Sequence, residues 1–351
     1  MEYESFWMCI LNLPFSANVR VGLHSLSMNI LITGGAGFLG TKLCAALLKR
    51  GALTDAQGRE REIASIRLFD VVEVNRIVDP RVQTMAGDIA DPTDMQRALG
   101  NDTDSIFHLA AVVSGEAEQN FDIGMRVNVD GTRTLFEAVR HLPAPPKVVF
   151  TSSLAVFGGP LPEPVPDDQA LTPQNSYGAQ KAIGEFLLND MTRKGFMDGR
   201  ALRLPTISVR PGKPNRAASS FLSGIIREPL SGVDAICPVQ PDLRAWLLSP
   251  RRAIANLIIG HESPASRFGH TRSINVPGMT VSVGGMVDAL REVAGDEAAA
   301  RVKFERDPFI EKLMLGWPPA FTADLGKSLG MRVDVNFADV IRAHVEDELS
   351  G

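Results

Sequence analysis

Cysteine, tyrosine and net charge are all scarce in this sequence, and each shortage excludes something. The three cysteines, Cys9, Cys44 and Cys237, are odd in number and far apart, which rules out both a disulfide framework and a thiolate metal site. Reduced thiols in a cytoplasmic protein are the expectation. The six histidines, His24, His108, His141, His261, His270 and His344, lack ligand spacing, so no metal is expected. A net charge of −5, with no basic stripe, leaves no footprint for nucleic acid. No stretch reaches the ~18 continuous apolar residues of a spanning helix, so no membrane partner is expected either. Internal repeats and low-complexity tracts are also lacking.

What is present is ordinary for a protein with a large core: 44% apolar and 22% charged residues in 351. That length exceeds a single small core and predicts one large α/β unit or a main domain with a smaller lobe. Residues 1–27 carry Phe6, Trp7, Met8, Ile10, Leu11 and Phe15, but Glu2 and Glu4 stand where a secretory signal would be positive. They read as an N-terminal extension outside the fold, with the first strand starting just after Met28.

Periodicity predicts strands at 29–33, 66–70, 105–110, 147–152 and 199–205. Helical patterns over 38–50, 92–99, 121–141 and 177–194 separate them. Such alternation predicts a Rossmann-like, doubly wound parallel sheet covered on both faces, over 28–205. Residues 52–62 read as a surface loop. After Pro205 prolines and glycines break the alternation, predicting a smaller C-terminal substrate lobe over 206–351, part of which returns to the sheet. Its helical stretches fall near 251–260, 283–294 and 337–349.

Between the first strand and helix lie Gly34, Gly37 and Gly40, spaced G-x-x-G-x-x-G. Glycines there permit a tight turn and close approach of a pyrophosphate to the positive end of a helix, which points to a dinucleotide; helix–strand packing is the alternative use. Asp70 ends the second strand, where a carboxylate accepts hydrogen bonds from a ribose diol and repels a 2′-phosphate, favouring NAD. Asp88, in Ala86-Gly87-Asp88-Ile89, suits an adenine amino group or an ordinary turn. Only two tyrosines occur, Tyr3 and Tyr177, and Tyr177 precedes Lys181 by one helical turn. That pair is either a solvated helix face or a general base whose pKa a neighbouring cation lowers.

Together these residues resemble the extended short-chain dehydrogenase/reductase family, which includes nucleotide-sugar epimerases. The matching pieces are Thr33 to Gly40, Gly87-Asp88-Ile89, His108-Leu109-Ala110-Ala111, Asn128-Val129-Asp130-Gly131-Thr132, Thr151-Ser152-Ser153, and Tyr177 with Lys181. The resemblance implies NAD as cofactor, Tyr177 as proton carrier, Ser153 as donor to the reacting oxygen and Lys181 on the nicotinamide ribose. It makes Asn128 a support for a water or a helix bend. Phe38, Leu39, Ile89, Ala110 and Pro205 join the glycines and Asp70 in the implied cofactor site. It also implies a homodimer through the helices at 121–141 and 177–194.

The second half, from Arg203-Leu204-Pro205 through Pro229-Leu230, and the loop Val113-Ser114-Gly115-Glu116 resemble the branch that oxidises the C2 hydroxyl of D-erythronate, a small sugar acid. An acid of that size needs a fixed cation for its carboxylate. Arg210, Lys213, Asn215 and Arg216 are candidates, with Arg227, Arg244 and Arg251 further along; Ser114 could meet substrate hydroxyls. Two other activities share the scaffold: a nucleotide-sugar epimerase, and a catalytically silent NAD sensor, which the retention of Tyr177 and Lys181 disfavours. A dehydratase is disfavoured because Ser152 and Ser153 stand where an acid pair would follow Thr151.

Overall fold

Lys147–Ser153 and Ser105–His108 are buried at almost every position, as strands covered on both faces must be. The computed structural model describes residues 27–73, 77–212 and 218–349. Residues 1–26 and Lys213, with Asn215 and Arg216, lie outside the described residues. In chain order the first elements are β1 (Ser27–Thr33), α1 (Phe38–Arg50), β2 (Ala52–Thr54), β3 (Glu60–Asp70), β4 (Val82–Ala86), α2 (Pro92–Leu99) and β5 (Ser105–His108). Next come α3 (Ser114–Gln119), α4 (Phe121–Gly124), a π-helical turn over Met125–Gly131, α5 (Thr132–Arg140), β6 (Lys147–Ser153), α6 (Ser176–Arg193) and β7 (Asp198–Leu204). The remainder begins with β8 (Thr206–Ile207), α7 (Phe221–Leu230), β9 (Ala235–Cys237), β10 (Arg244–Leu248), α8 (Pro250–Glu262) and β11 (Ser273–Asn275). It ends with β12 (Met279–Ser282), α9 (Val283–Ala300), β13 (Val302–Phe304), α10 (Pro308–Leu315), α11 (Asp324–Ser328) and α12 (Phe337–His344).

The large sheet has eight strands in the order β11-β7-β6-β5-β1-β3-β2, with β4 also on β3. Every pair in it is parallel except β2 with β3. Alternate residues of one strand serve opposite cores, as the two-residue period of a strand requires. Ile30, Ile32, Phe107 and Val149 pack with Leu43 and Leu47 of α1 and Leu257 of α8. Leu31, Ile106, Val148 and Phe150 pack with Met95 of α2, Leu135 of α5 and Leu188 of α6. The chain is thus doubly wound.

The second half divides between this sheet and a core of its own. α8 packs on α1, β6 and β7, and β11 extends the sheet beside β7. Leu222, Ile225, Val287, Leu290 and Ile341, from α7, α9 and α12, build a separate core.

Three element expectations need correction. The 52–62 segment is a hairpin, with Leu53 fully buried and Ala52, Leu53 and Thr54 paired to Glu62, Arg61 and Glu60. One buried residue in a three-residue strand is too short a pattern to read as an alternation. The helix at 121–141 is interrupted by the π turn, where Asn128 bonds outside its own helix. The helix at 283–294 continues to Ala300 past a kink at Gly295, whose φ is 85°.

Candidate active site

At the end of β1 the backbone turns through Gly34, at φ 72°, and enters α1 at Gly37. A Cβ on Gly34 would sit 2.7 Å from the Ala110 nitrogen, and one on Gly40 2.3 Å from the Gly34 carbonyl oxygen. No side chain caps α1 and its first turn holds no acid, so its N-terminal N–H groups and positive dipole end face outward. This cradle fits a dinucleotide pyrophosphate.

Asp70, at the end of β3, accepts the Ala36 N–H at 2.9 Å and the Val71 N–H at 2.8 Å, which fixes its carboxylate against the glycine turn. Asp88 accepts the Ala90 N–H at 2.9 Å and pairs with Arg126. Those two contacts hold its carboxyl below the usual range. The Ile89 side chain is buried in the core, leaving only its backbone to reach a ligand.

Beyond the C-terminal ends of β1, β5 and β6 opens a cavity of about 270 Å³. Phe38, Leu39 and Pro205 form part of its wall, and Ser114, Ser153, Tyr177, Lys181 and Arg210 another part. Gly34, Gly37, Gly40, Asp70, Asp88, Ile89, Ala110 and Asn128 are not among the residues lining it. Asn128 instead ties elements together: its Oδ1 accepts the Val112 N–H at 2.8 Å, and its Nδ2 donates to Gln180 Oε1 at 2.7 Å. It holds the β5 end against α6, which is a positioning role rather than contact with a reacting atom.

Tyr177 and Lys181 share one face of α6, with the Lys181 ammonium 5.7 Å from the Tyr177 ring centre and 4.8 Å from that of Phe150. The expected lowering of the phenol pKa does not appear in this state. Burial pushes Tyr177 up to about 12, against the pull of the Arg210 charge and a hydrogen bond with Ser153. Lys181, buried where Tyr177 is only half-buried, is pushed down to about 7 by burial, with the Glu185 carboxylate pulling it up. The cation facing the phenol is therefore Arg210.

The two serines separate cleanly. Ser152 donates to Glu185 Oε1 at 2.5 Å in the core, while Ser153 bonds the phenol and caps the turn after β6 through Ala155 N–H at 3.1 Å. His108 is fully buried, bonded to Thr33 Oγ1 at 2.7 Å and Thr132 Oγ1 at 2.9 Å, and burial holds it neutral with a pKa near 3.

The arginine candidates also separate. Arg244 lines the cavity but is clamped by both oxygens of Glu163, at 2.7 and 3.1 Å. Arg227 pairs with Glu228, and Arg251 with Glu346 and Asp347. Among the described residues Arg210 has no carboxylate partner; its guanidinium meets only the Ser219 hydroxyl, at 3.4 Å. Three residues escaped the sequence reading. Trp246 and Trp317 line the cavity, and the buried Trp317 Nε1–H has no acceptor among the described residues. The third, Glu185, lies one turn beyond Lys181. Two of only three tryptophans at one wall, and an acid extending the Tyr177–Lys181 spacing by four, were the available signals.

Residues 30–246 match the NAD dependent epimerase/dehydratase family. The chain is 55% identical over 320 residues to a D-erythronate dehydrogenase of Cupriavidus necator, covering 91% of this chain and 98% of that one. A D-erythronate dehydrogenase of Haemophilus influenzae is 43% identical, over 92% and 100%. A solved structure described as a nucleoside-diphosphate-sugar epimerase from Agrobacterium tumefaciens superposes with a TM-score of 0.87 at 44% identity, over 93% of this chain and 95% of that one. By sequence and by architecture, the chain belongs to the NAD dependent epimerase/dehydratase family.

Proposed function

We propose that this protein is an NAD-dependent dehydrogenase that oxidises the C2 hydroxyl of a small sugar acid, with D-erythronate as substrate and 2-oxo-erythronate as product. The observation that carries the reading is Arg210: a guanidinium without a carboxylate partner among the described residues, in the same cavity wall as Tyr177 and Ser153. That two relatives at 55% and 43% identity are D-erythronate dehydrogenases supports a four-carbon acid over a nucleotide sugar.

In this reading Tyr177 takes the hydroxyl proton, Ser153 donates to the same oxygen, and Lys181 holds the nicotinamide ribose. Arg210 receives the carboxylate, its planar fork allowing two parallel hydrogen bonds; Lys213 is the second candidate cation for that acid, and Ser114 meets a substrate hydroxyl. Asp70 takes the adenosine ribose, Asp88 and Ile89 the adenine side, and Gly34, Gly37, Phe38, Leu39, Gly40, Ala110 and Pro205 the rest of the cofactor. When bound, NAD supplies the hydride acceptor and a positive ring that favours phenolate. Residues 28–205 form the NAD-binding domain, completed by the returning α8 and β11, and the rest of 206–351 the substrate lobe.

The protein is read as a cytoplasmic homodimer. Among the described residues no helix is long and apolar enough to cross a membrane. Phe121 and Ile123, on α4, and Ile183 and Phe186, on the neighbouring α6, are exposed apolar side chains where a partner would pack.

The test is redox stoichiometry. Purified protein with NAD and D-erythronate is expected to accumulate one NADH per acid consumed. Conversion of nucleotide sugars without net NADH would make it an epimerase, the reading suggested by the Agrobacterium structure's description.

A further inference from the structure

Glu185 lies beneath the cavity, nearly inaccessible to solvent, in a set of contacts that the reaction described above does not use. Arg203 of β7 grips its carboxylate through Nε, at 3.0 and 3.1 Å, and through Nη2 at 2.7 Å. Ser152 donates to it at 2.5 Å, and Arg203 also reaches Asn275 Oδ1 of β11 at 3.2 Å. Arg203 further covers the ring of Phe157, a cavity-wall residue, at 4.9 Å.

The spacing makes this more than a packed ion pair. Tyr177, Lys181 and Glu185 follow one another at single-turn intervals along one face of α6. We propose that Glu185 is a positioning residue: through Ser152 it fixes the strand end that presents Ser153, and its carboxylate, one turn from Lys181 on the same helix face, favours the ammonium form there. The proposal rests on the dehydrogenase reading of this site.

The other groups around Lys181 do not supply that negative charge. His108 from β5 is neutral, Phe150 from β6 is apolar, and Arg203 from β7 is itself a cation. Tyr177 is un-ionised at rest, and Arg210 beyond it adds a second positive charge. Burial alone disfavours the Lys181 ammonium, and Glu185 acts against that loss. Lys181 and Glu185 are not in ion-pair contact, and the Arg203 cation partly offsets the Glu185 charge, so the carboxylate favours the ammonium without fixing it.

Removing Glu185 alone strands the Arg203 charge, so Glu185→Gln is compared with the double variant Glu185→Gln/Arg203→Met. The latter removes both charges, a change that buried ion pairs commonly tolerate. In Glu185→Gln the descending alkaline limb of the kcat–pH profile is expected to move toward acid by about one pH unit or more, whereas in the double variant, where the Arg203 cation leaves with the carboxylate, the limb moves less. In both, kcat at neutral pH is expected to fall about tenfold because Ser152 loses its anchored acceptor. Glu185→Asp keeps the charge and is expected to keep the limb. If the double variant folds with parental Tm and keeps kcat within about twofold, or if a folded Glu185→Gln shows the parental limb and kcat, the pair is only structural and the proposal is overturned. Should Glu185→Gln alone fail to fold, the double variant carries the comparison. Each variant is measured on whatever secondary alcohol the parent oxidises, so failure of every sugar acid would count against the substrate reading alone.

Discussion

At the scale of single residues, the proposed reaction turns on the Tyr177 phenol, which burial makes a poor acid until positive charge gathers around it. Tyr177→Phe is expected to leave the NAD dissociation constant within about threefold while kcat falls roughly 10²- to 10⁴-fold, the usual weight of a positioned proton carrier. Steady-state kinetics beside calorimetric NAD titration measures both. Arg210→Met is expected to lower kcat/KM for D-erythronate by about 10²-fold, chiefly through KM, because a charge-assisted bidentate contact is lost. An uncharged amide of the same acid should lose far less. Parental discrimination between acid and amide in that variant would move the anchor elsewhere. That Tyr177, Lys181 and Ser153 line one cavity was legible because the proposed chemistry fixes both type and spacing. Arg210 could not be singled out in the sequence: what distinguishes it from Arg227, Arg244 and Arg251 is that those three have carboxylate partners, a property of folded neighbours.

At the scale of elements, the alternation of strand and helix was readable because each strand must feed two cores and each helix one. α1 and α2 have the bounds that periodicity predicts, set by Gly37 and Gly51 for one and by Asp91 and Gly100 for the other. The β2 hairpin and the π turn were not readable, since each depends on distant groups: Glu262 on Thr54, and Gln180 on Asn128. The β1–α1 turn yields a direct test. Gly40→Ala forces a Cβ onto the Gly34 carbonyl and is expected to weaken NAD binding at least about tenfold and lower Tm, checked by titration and calorimetry.

A second test at this scale concerns Lys147 at the start of β6, whose ammonium donates to the His261 carbonyl at 2.9 Å and the Thr54 carbonyl at 3.2 Å. Burial lowers its pKa from 10.5 to about 8. Between those values the unfolded chain binds the proton and the folded one has released it, so this group's contribution to stability rises with pH from about 8 to 10.5. Wild type minus Lys147→Met is therefore expected to slope upward across that window in denaturant titrations. A flat difference would mean that the ammonium stays charged.

At the scale of the whole molecule, the fold class follows from the same alternation, and the second half, where that alternation is lost after Pro205, splits between the large sheet and a core of its own. A partial return of 206–351 to the large sheet is expected from the sequence, but no local pattern announces that β11, three residues long, is the strand that makes it, because its pairing with Ala201, Leu202 and Arg203 is non-local. Association is also decided at this scale. Sedimentation at micromolar concentration is expected to give twice the chain mass, and replacing Phe186 and Ile183 by lysine is expected to give a single chain. Unchanged mass in that variant would place the interface on another surface.

The late arrival of β11 governs how the chain must be born. A ribosome that has released residues only through Leu204 exposes β7 as a bare edge, its outward N–H and C=O groups waiting some seventy residues for Ser273–Asn275 to emerge. During synthesis the nascent protein thus presents a sticky flank while its second half is still being made, and a slow codon stretch before Ser273 would lengthen that exposure and raise the yield of aggregate.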